Sequence, residues 1–291
     1  MSIPRDVQEF LLEYPGVSDQ TRKQRNLEFY RNVRRCQPDN MLIEELLRNW
    51  QDDFETLEYE HGFIQWLFPI REFGMNYDSQ PLQKHEIEAM KGDEVVMQRL
   101  VRSYRLMLSF YGMELLDEET GLLSRSLQES QYLSGIVSHD GYRSRYRNLV
   151  RSPHNYLRIS RILKCLSELG MEHMNAGFLL HVLCEQSDQN KLNAQHLRNS
   201  MDRWWINCIR NEHERLFINE LVAQVRGGGR VFNRADYEQL LAQRKETGRL
   251  QWPESDTLDA IYPQDQPESE EQAGAPSEGH RKLKKTKKGV E

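Results

Sequence analysis

Apolar residues recur at helical spacing along most of the chain. The segment 95–111, VVMQRLVRSYRLMLSFY, is a clear case, and Gly112 directly after it is suited to end a helix. One face of this helix would carry Val96, Leu100, Tyr104, Met107 and Tyr111. No stretch shows the sustained alternation of polar and apolar residues that is typical of a sheet. We therefore predict an all-α fold, an irregular multi-helix bundle.

The same pattern predicts further helices and the breaks between them. Residues 40–50, NMLIEELLRNW, form a short amphipathic stretch, and residues 202–225 are predicted to form one long helix. Three glycines at 227–229 would end that helix, and a shorter helix is predicted over 234–245. Loops are predicted at 76–82 and 117–126, with a mobile excursion at 132–146.

The best-defined helix lies in SPHNYLRISRILKCLSELG, residues 152–170. Ser152 can cap it, Pro153 suits the first helical position because its missing amide costs nothing there, and Gly170 ends it. At 100° per residue the apolar face comprises Tyr156, Ile159, Leu163 and Leu166. The opposite side carries His154, Arg158 and Arg161.

The charge pattern around this helix is one-sided. No carboxylate occurs between Gly141 and Ser167, whereas this stretch holds Arg143, Arg145, Arg147, Arg151, Arg158, Arg161 and Lys164. One interpretation is a solvated face whose charges meet the acidic run DDFETLEYEH, residues 52–61. The other is an anion-binding site, in which Arg158 and Arg161 donate bidentate hydrogen bonds to a carboxylate or phosphate and His154 assists. Nucleic acid could bind the same strip, although the strip is not expected to carry interleaved exposed aromatic residues and has no known nucleic-acid recognition motif.

A dense aromatic block, HGFIQWLFPIREFGMN, occupies residues 61–76. Its apolar part is too short to span a bilayer, and Pro69 prevents it from continuing as a long helix. We therefore predict a buried, turn-like segment threaded between helices. Its Trp66 and Phe68 would lie in the core, as would Tyr156 and Leu163 of the later helix.

The polar residues around the two blocks form our candidate binding site. If both blocks meet, one polar pocket would contain His61, Gln65, Arg71, Asn76, His154, Asn155, Arg158 and Arg161. The alternative is purely structural: Arg71 pairs with a carboxylate and Asn76 caps a turn. Such a pocket, with an apolar floor and an Arg/His rim, would suit a small peptide that carries an aromatic ring and a terminal carboxylate.

Motifs for catalysis and metal binding are sparse. The four cysteines, Cys36, Cys165, Cys184 and Cys208, form no C-x-x-C pair, and the triple glycine follows a helix rather than a strand. In the acidic run, Glu58 and His61 share a helical face with Phe54 and not with most of the acids, which favours a solvated face over a metal site. We therefore predict no metal, no cofactor and no enzyme, with an unassigned chemistry of His61 and His154 as the alternative.

Composition divides the chain into three parts. Residues 1–19 read as an N-terminal helix or extension and 20–252 as a helical domain, without a run of about 18 apolar residues that could span a membrane. Residues 253–291, rich in Pro, Glu, Ser and Gln, are predicted to be disordered. The tail ends in a cluster that suits a nuclear import signal or a solvated basic end, namely Arg281, Lys282, Lys284, Lys285, Lys287 and Lys288.

Several blocks in a fixed order resemble a known family. These are NLEFYR at 26–31, Trp50 with the acidic run into His61, FIQWLFP and REFGMN within 63–76, RLVRSYRLMLSFYGMEL at 99–115, and HNYLRISRILKCLSELG at 154–170. Together they resemble the opioid growth factor receptor conserved-domain family over roughly residues 20–185.

This resemblance implies a receptor-like binding module for an enkephalin-type peptide or a protein partner. The family is unrelated to the seven-helix opioid receptors. It further implies growth regulation and a nuclear, cytoplasmic or perinuclear location, including peripheral association with the nuclear envelope. Two alternatives from other classes stay open at this point: a nucleic-acid-associated or adaptor protein that uses the basic strip 143–164, and an enzyme of unassigned chemistry.

Overall fold

The computed structural model describes residues 3–127, 130–131, 137–138 and 141–253. Over these residues the protein is largely helical, which confirms the predicted fold class. The first seven helices are α1 (Arg5–Leu11), α2 (Arg25–Tyr30), α3 (Ile43–Asn49), α4 (Phe54–Tyr59), α5 (Ile64–Leu67), α6 (Lys84–Lys91) and α7 (Glu94–Tyr111). The later helices are α8 (Tyr142–Arg151), α9 (His154–Glu168), α10 (Glu172–Ser187), α11 (Gln195–Ser200), α12 (Glu212–Arg226) and α13 (Arg234–Thr247).

The described residues up to Trp252 form the first compact unit of the chain, which ends before Pro253. The predicted disordered tail and its basic cluster at 281–288 lie outside the described residues, which end at Pro253. The N-terminal stretch belongs to the first unit, since Val7 and Phe10 of α1 are fully buried. The guanidinium of Arg210 donates hydrogen bonds to the Phe10 carbonyl, which ties α1 to the segment before α12.

Helix α7 lies at the centre of the packing. All five residues of its predicted apolar face are buried, and the helix contacts α2, α3, α6, α8 and the strand that follows it. Gly112 ends the helix in the left-handed region with φ of 83°, a conformation in which glycine meets no steric penalty. The 3.6-residue period was therefore sufficient to place this helix.

A β-hairpin follows α7, where the sequence predicted a loop over 117–126. Strand β1 (Met113–Asp117) pairs antiparallel with β2 (Leu122–Arg125), so the loop prediction was wrong for residues 122–125, whereas residues 118–121 do form a turn. Burial does alternate along β1, but only over five residues, and Leu116 points to solvent. An alternation this short and irregular is too weak a signal for a strand. A second pair joins β3 (Ser130–Gln131) and β4 (Val137–Ser138), and only β4 falls within the excursion predicted over 132–146. Residues 142–146 of that excursion belong instead to α8, so the prediction was wrong there, and residues 132–136 and 139–140 are outside the described ranges.

The hairpin turn packs directly on α10 through two glycines. Gly121 adopts φ of 76°, and a Cβ added to Gly177 would lie 1.9 Å from the Gly121 carbonyl oxygen. The Gly177 Cα, which would carry the Cβ, and the Gly121 carbonyl both belong to the backbone, so neither can move aside as a flexible side chain could. The close approach of helix and turn thus requires glycine at position 177.

We expect Gly177→Ala to destabilise the protein by about 1–3 kcal/mol or more, the usual cost of overpacking a well-filled site. Urea unfolding of the purified chain measures this change. Gly16→Ala is the matched control, because nothing lies within 4 Å of its added Cβ. Equal unfolding midpoints for the two variants would contradict the close contact between α10 and the hairpin.

The long helix predicted over 202–225 is interrupted. A π-helical turn at Met201–Trp205 and a 3₁₀ turn at Ile206–Cys208 are followed by extended backbone at Ile209, and α12 starts only at Glu212. The Asn211 side chain accepts a hydrogen bond from the Glu214 amide and caps α12. The Asn-x-x-Glu spacing is a helix-start signature, and the prediction overlooked it. The helix ends at Arg226, before the three glycines, as predicted.

Candidate functional site

The aromatic block of the sequence is buried in the core. Every residue from Phe63 to Ile70 is buried, and Trp66 is only 2% exposed. The Trp66 indole donates a hydrogen bond to the Gln37 carbonyl at 3.0 Å, and its ring lies 5.4 Å from that of Phe29. Helix α5 lasts four residues because Pro69 offers no amide to continue it. The structure also buries Phe68, and it buries Tyr156 and Leu163 of α9.

Arg158 joins α9 to the end of α4. Its guanidinium donates to the carbonyls of Leu57 at 2.7 Å and Glu60 at 2.6 Å, and at 3.3 Å to that of Glu58. The last carbonyls of a helix have no partner within it, and a basic side chain can satisfy them. Burial lowers the pKa of Arg158. Arg158 therefore acts as a clamp on the chain that enters the aromatic block.

Arg161 and Lys164 continue the same face of α9. Arg161 Nε donates to the Phe68 carbonyl at 2.8 Å, just after α5, and burial lowers its pKa to about 10. Lys164 pairs with Asp6 at 3.0 Å and with Glu72 at 2.6 Å. Burial opposes the charge of Lys164, but its acidic surroundings, chiefly Glu72 with Asp6, raise the lysine pKa overall. Successive cations of α9 thus hold both ends of the aromatic block and the N-terminal helix.

A small polar cluster forms where α4 meets the start of α9. The rings of His61 and His154 lie 5.5 Å apart between centroids, and His154 Nε2 is 3.0 Å from a Glu58 carboxylate oxygen. The last contact is close but not aligned for a hydrogen bond. The Glu58 carboxylate instead accepts from Asn148 at 2.7 Å and from Asn155 at 3.4 Å. Three side chains from α8 and α9, namely Asn148, His154 and Asn155, therefore surround the Glu58 carboxylate.

Charge in this cluster is set by burial and neighbours. Burial, helped by Arg158 and His61, lowers the pKa of His154 against the opposing effect of Glu58. Burial alone would raise the pKa of Glu58, yet the hydrogen bond from Asn148 and the nearby His154 bring it below its ordinary value. At neutral pH the cluster hence combines a neutral imidazole with an ionised carboxylate.

Gln65 and Asn76 hold the loop that follows the aromatic block. Asn76 Nδ2 donates to the Gln37 carbonyl at 2.7 Å and to the Gly62 carbonyl at 3.2 Å. Gln65 is buried, accepts from Ser79 at 3.2 Å, and leaves no room for a Cβ at Gly74. With its inner side anchored in this way, the loop exposes large side chains on its outer side, namely Phe73, Met75 and Tyr77.

Arg71 points away from α9 toward the N-terminal segment. It is 4% exposed, and its Nη2 lies 3.4 Å from the Val17 carbonyl and from both carboxylate oxygens of Asp19. Its Nε is buried and has no hydrogen-bond partner among the described residues. A cavity of about 360 Å³ lies beside it, with walls that include Tyr14, Phe73 and Pro81. The buried Arg71 guanidinium therefore borders an aromatic-walled cavity, with its Nη2 shared between Val17 and Asp19 and its Nε without a partner among the described residues.

The structure brings only part of the predicted site together. His61, His154, Asn155 and Arg158 meet at the end of α4, and Asn76 reaches the carbonyl next to His61. Gln65 and Arg71 make their contacts elsewhere. The role of these residues in binding stays a prediction. Glu58 was set aside as a solvated acid, and Lys164 was not singled out for the site. Lys164 follows Arg161 by three residues, a spacing that places both on one face of a helix and could have indicated that Lys164 belongs with the site.

The basic strip divides into two sets. Arg145 donates to the Phe110 carbonyl at 2.8 Å between the rings of Phe54 and Phe110, so it joins the three inward cations of α9. Exposed side chains remain along α8 at Arg143, Arg147 and Arg151. Arg158 meets the acidic run through backbone carbonyls rather than side chains. Arg145 and Arg161 donate to carbonyls of other segments, and Lys164 pairs with carboxylates outside the run. Neither interpretation of the strip anticipated this arrangement.

Two further properties concern metals and membranes. Within the described ranges, no three His, Cys, Asp or Glu side chains are grouped so that they could hold a metal ion. Of the helices in that part of the chain, none combines the length and apolar character that crossing a bilayer requires.

Comparison with known proteins matches most of the chain. The family described as "Opioid growth factor receptor (OGFr) conserved region" matches residues 19–239. The mouse opioid growth factor receptor is 40% identical over 213 residues, 72% of this chain and 31% of the relative. The human receptor is 38% identical over 72% of this chain and 29% of its own length. The rat opioid growth factor receptor-like protein 1 is 36% identical over 72% of this chain and 42% of its own.

The chain thus spans less than half the length of these relatives. No solved structure matches it. The family match covers the aromatic block, α9 and the helices between them. The chain belongs to the opioid growth factor receptor conserved-region family.

Proposed function

We propose that the chain is a non-enzymatic, receptor-like binding protein that takes a small peptide in the cavity beside Arg71. The observation that carries this proposal is the buried Arg71 guanidinium, whose Nε lacks a partner among the described residues and whose other contacts are long. A buried donor without an acceptor costs about 1–3 kcal/mol. A peptide carboxylate would supply that acceptor in the two-pronged geometry that guanidinium groups favour.

The rest of the cavity suits an aromatic peptide. Its volume of about 360 Å³ falls in the range of small-ligand sites, and Tyr14, Phe73 and Pro81 offer apolar walls. Phe73 is 83% exposed and could close over a bound ring. Glu9, also at the cavity, could take a peptide amine. The relatives are named opioid growth factor receptors, and on this basis we propose an enkephalin-type peptide as the ligand of this chain.

Titration calorimetry with an enkephalin-type peptide tests this site. We expect the free-acid peptide to bind, and the same peptide amidated at its C-terminus to bind roughly ten- to a hundredfold more weakly, because a charge-assisted hydrogen bond contributes about 1.5–3 kcal/mol. The amidated peptide tests the Arg71 contact without altering the protein. Arg71→Met should weaken the free acid and leave the amide unchanged.

Equal affinity for acid and amide would exclude Arg71 as the carboxylate ligand, and no heat at millimolar peptide would exclude the receptor proposal for this chain. Arg48→Met, an exposed position on α3, is the control substitution. Circular dichroism of each variant confirms that it is folded before titration.

We also propose a nuclear or perinuclear location in a growth-regulating pathway. It is supported by the basic cluster from Arg281 to Lys288 and by the family. Imaging of the tagged chain with and without residues 281–288 tests it, and an unchanged distribution would count against the cluster as an import signal.

A further inference from the structure

The carboxylates at the wall of the proposed peptide cavity already have partners. Glu72 accepts a hydrogen bond from the Tyr14 hydroxyl at 2.8 Å and pairs with Lys164 at 2.6 Å. Glu9 pairs with Arg5 at 2.9 Å on the exposed side of α1. In the described part of the chain, no other acid lines this cavity. The negative charge at the wall is therefore balanced from within the protein.

The two cations at the same wall, Arg71 and Lys23, are less fully engaged. Arg71 Nε has no hydrogen-bond partner among the described residues, and its Nη2 lies 3.4 Å from the Asp19 carboxylate oxygens. The Lys23 ammonium forms neither a hydrogen bond nor an ion pair with any residue that the structure describes. Lys23 is nevertheless partly buried. The cavity thus offers positive charge at Lys23 that the protein itself leaves unpaired.

Contacts on both sides hold the Lys23 backbone at the cavity. Its amide donates to the Gln20 carbonyl at 2.9 Å, and its carbonyl accepts a hydrogen bond from His85 Nε2 at 2.9 Å. The Gln83 side chain accepts from the Gln20 amide at 2.7 Å and donates to the Pro81 carbonyl at 2.7 Å. A ligand would therefore meet Lys23 at a fixed place, with little backbone freedom to lose on binding.

The size of the cavity decides where a second anion of the ligand must lie. Its volume of about 360 Å³ is at the lower end of small-ligand sites, so it admits the end of a peptide rather than a long segment. Both cations line this one space. An anionic group that reaches Lys23 while the terminal carboxylate is on Arg71 therefore belongs to the last residue of the peptide.

We propose that the preferred ligands of this cavity are peptides that end in Glu or Asp, with the terminal carboxylate on Arg71 and the side-chain carboxylate on Lys23. This inference rests on the proposed function and adds the class of peptide that the site selects. A lysine ammonium is a compact point charge with three donors. It can therefore pair with a carboxylate without the planar, two-pronged geometry that the Arg71 guanidinium favours.

Titration calorimetry of the intact chain with two enkephalin-type peptides tests this ligand class. One peptide ends in Glu and the other in Gln, both as free acids, so the two differ by one side-chain charge. We expect the Glu peptide to bind about two- to fivefold more tightly, the range for a partly exposed ion pair. This advantage should shrink as salt rises. Lys23→Met should remove the advantage and leave the affinity for the Gln peptide nearly unchanged.

Arg22→Met removes a neighbouring exposed cation that does not line the cavity, and this control should keep the advantage of the Glu peptide. Equal affinities of the parent chain for the two peptides would overturn this inference and leave the proposed function standing. No binding of either peptide would exclude the proposed function and this inference with it. An advantage that survives Lys23→Met, or that Arg22→Met reduces equally, would reflect overall charge and overturn the Lys23 contact.

Discussion

Replacing Trp66 with alanine is expected to destabilise the folded protein by about 3–5 kcal/mol, the range for removing a large buried aromatic side chain. The indole is 2% exposed, packs against Phe29, and donates a hydrogen bond to the Gln37 carbonyl. Its removal leaves a cavity, and the Gln37 carbonyl keeps its hydrogen bond from Asn76 but loses the one from the indole. Because folded domains have a total stability of only about 5–15 kcal/mol, the variant should be partly unfolded near body temperature.

Thermal and denaturant unfolding measure this loss, and two further variants separate its causes. Trp66→Phe retains a ring but loses the hydrogen bond, so its cost should be clearly smaller. Tyr77→Ala removes a ring that is 92% exposed and should change stability by no more than about 0.5 kcal/mol. If Trp66→Ala unfolded at the same denaturant concentration as the parent chain, the aromatic block would not be part of the core.

The second large effect is expected from Arg158→Met, which removes the clamp between α9 and the end of α4. The substitution leaves the carbonyls of Leu57, Glu58 and Glu60 without their guanidinium donor. Each buried carbonyl that stays without a partner costs about 1–3 kcal/mol. Because water can reach some of them, we expect a total loss of about 3 kcal/mol. Hydrogen exchange should also accelerate locally, at the amides of residues 59–62.

Two variants test whether Arg158 serves the fold or a ligand. Arg158→Lys keeps the charge but loses the fork, so it should recover part of the stability lost in Arg158→Met. Arg151→Met changes an exposed arginine on the neighbouring helix α8 and should have little effect on stability. If Arg158→Met kept full stability but abolished peptide binding, the arginine would be a ligand contact, and the clamp would be refuted.

Periodicity was sufficient for the long helices and failed for short or interrupted elements. Helix α7 follows from the 3.6-residue pattern with its ending glycine, Gly112, and α13, predicted over 234–245, runs from Arg234 to Thr247. The hairpin after α7 was missed because its strands have four or five residues. The break before α12 was missed because the apolar pattern continues through it, while Asn211 and extended backbone at Ile209 interrupt the helix.

The candidate site shows the same division. A buried position for Trp66 could be predicted from the aromatic block and Pro69, which cannot form a long helix or cross a bilayer. The Arg71 Nε, which has no partner in the described part of the chain, could not be predicted, because its surroundings depend on how Val17 and Asp19 of the N-terminal segment are placed around the guanidinium. Such long-range contacts leave no periodic trace in the sequence.

The sequence by itself determined the helical class, the family and the presence of seven cations without a nearby acid. Only the tertiary structure decided which of these cations face inward. Arg158 and Arg161 face the carbonyls at the ends of α4 and α5, which lie about a hundred residues earlier in the chain. Arg143 and Arg151 face solvent because α8 packs through Arg145, Tyr146 and Leu149 on its other side. Helix periodicity defines the two sides of a helix, but the partner that packs against it decides which side is buried.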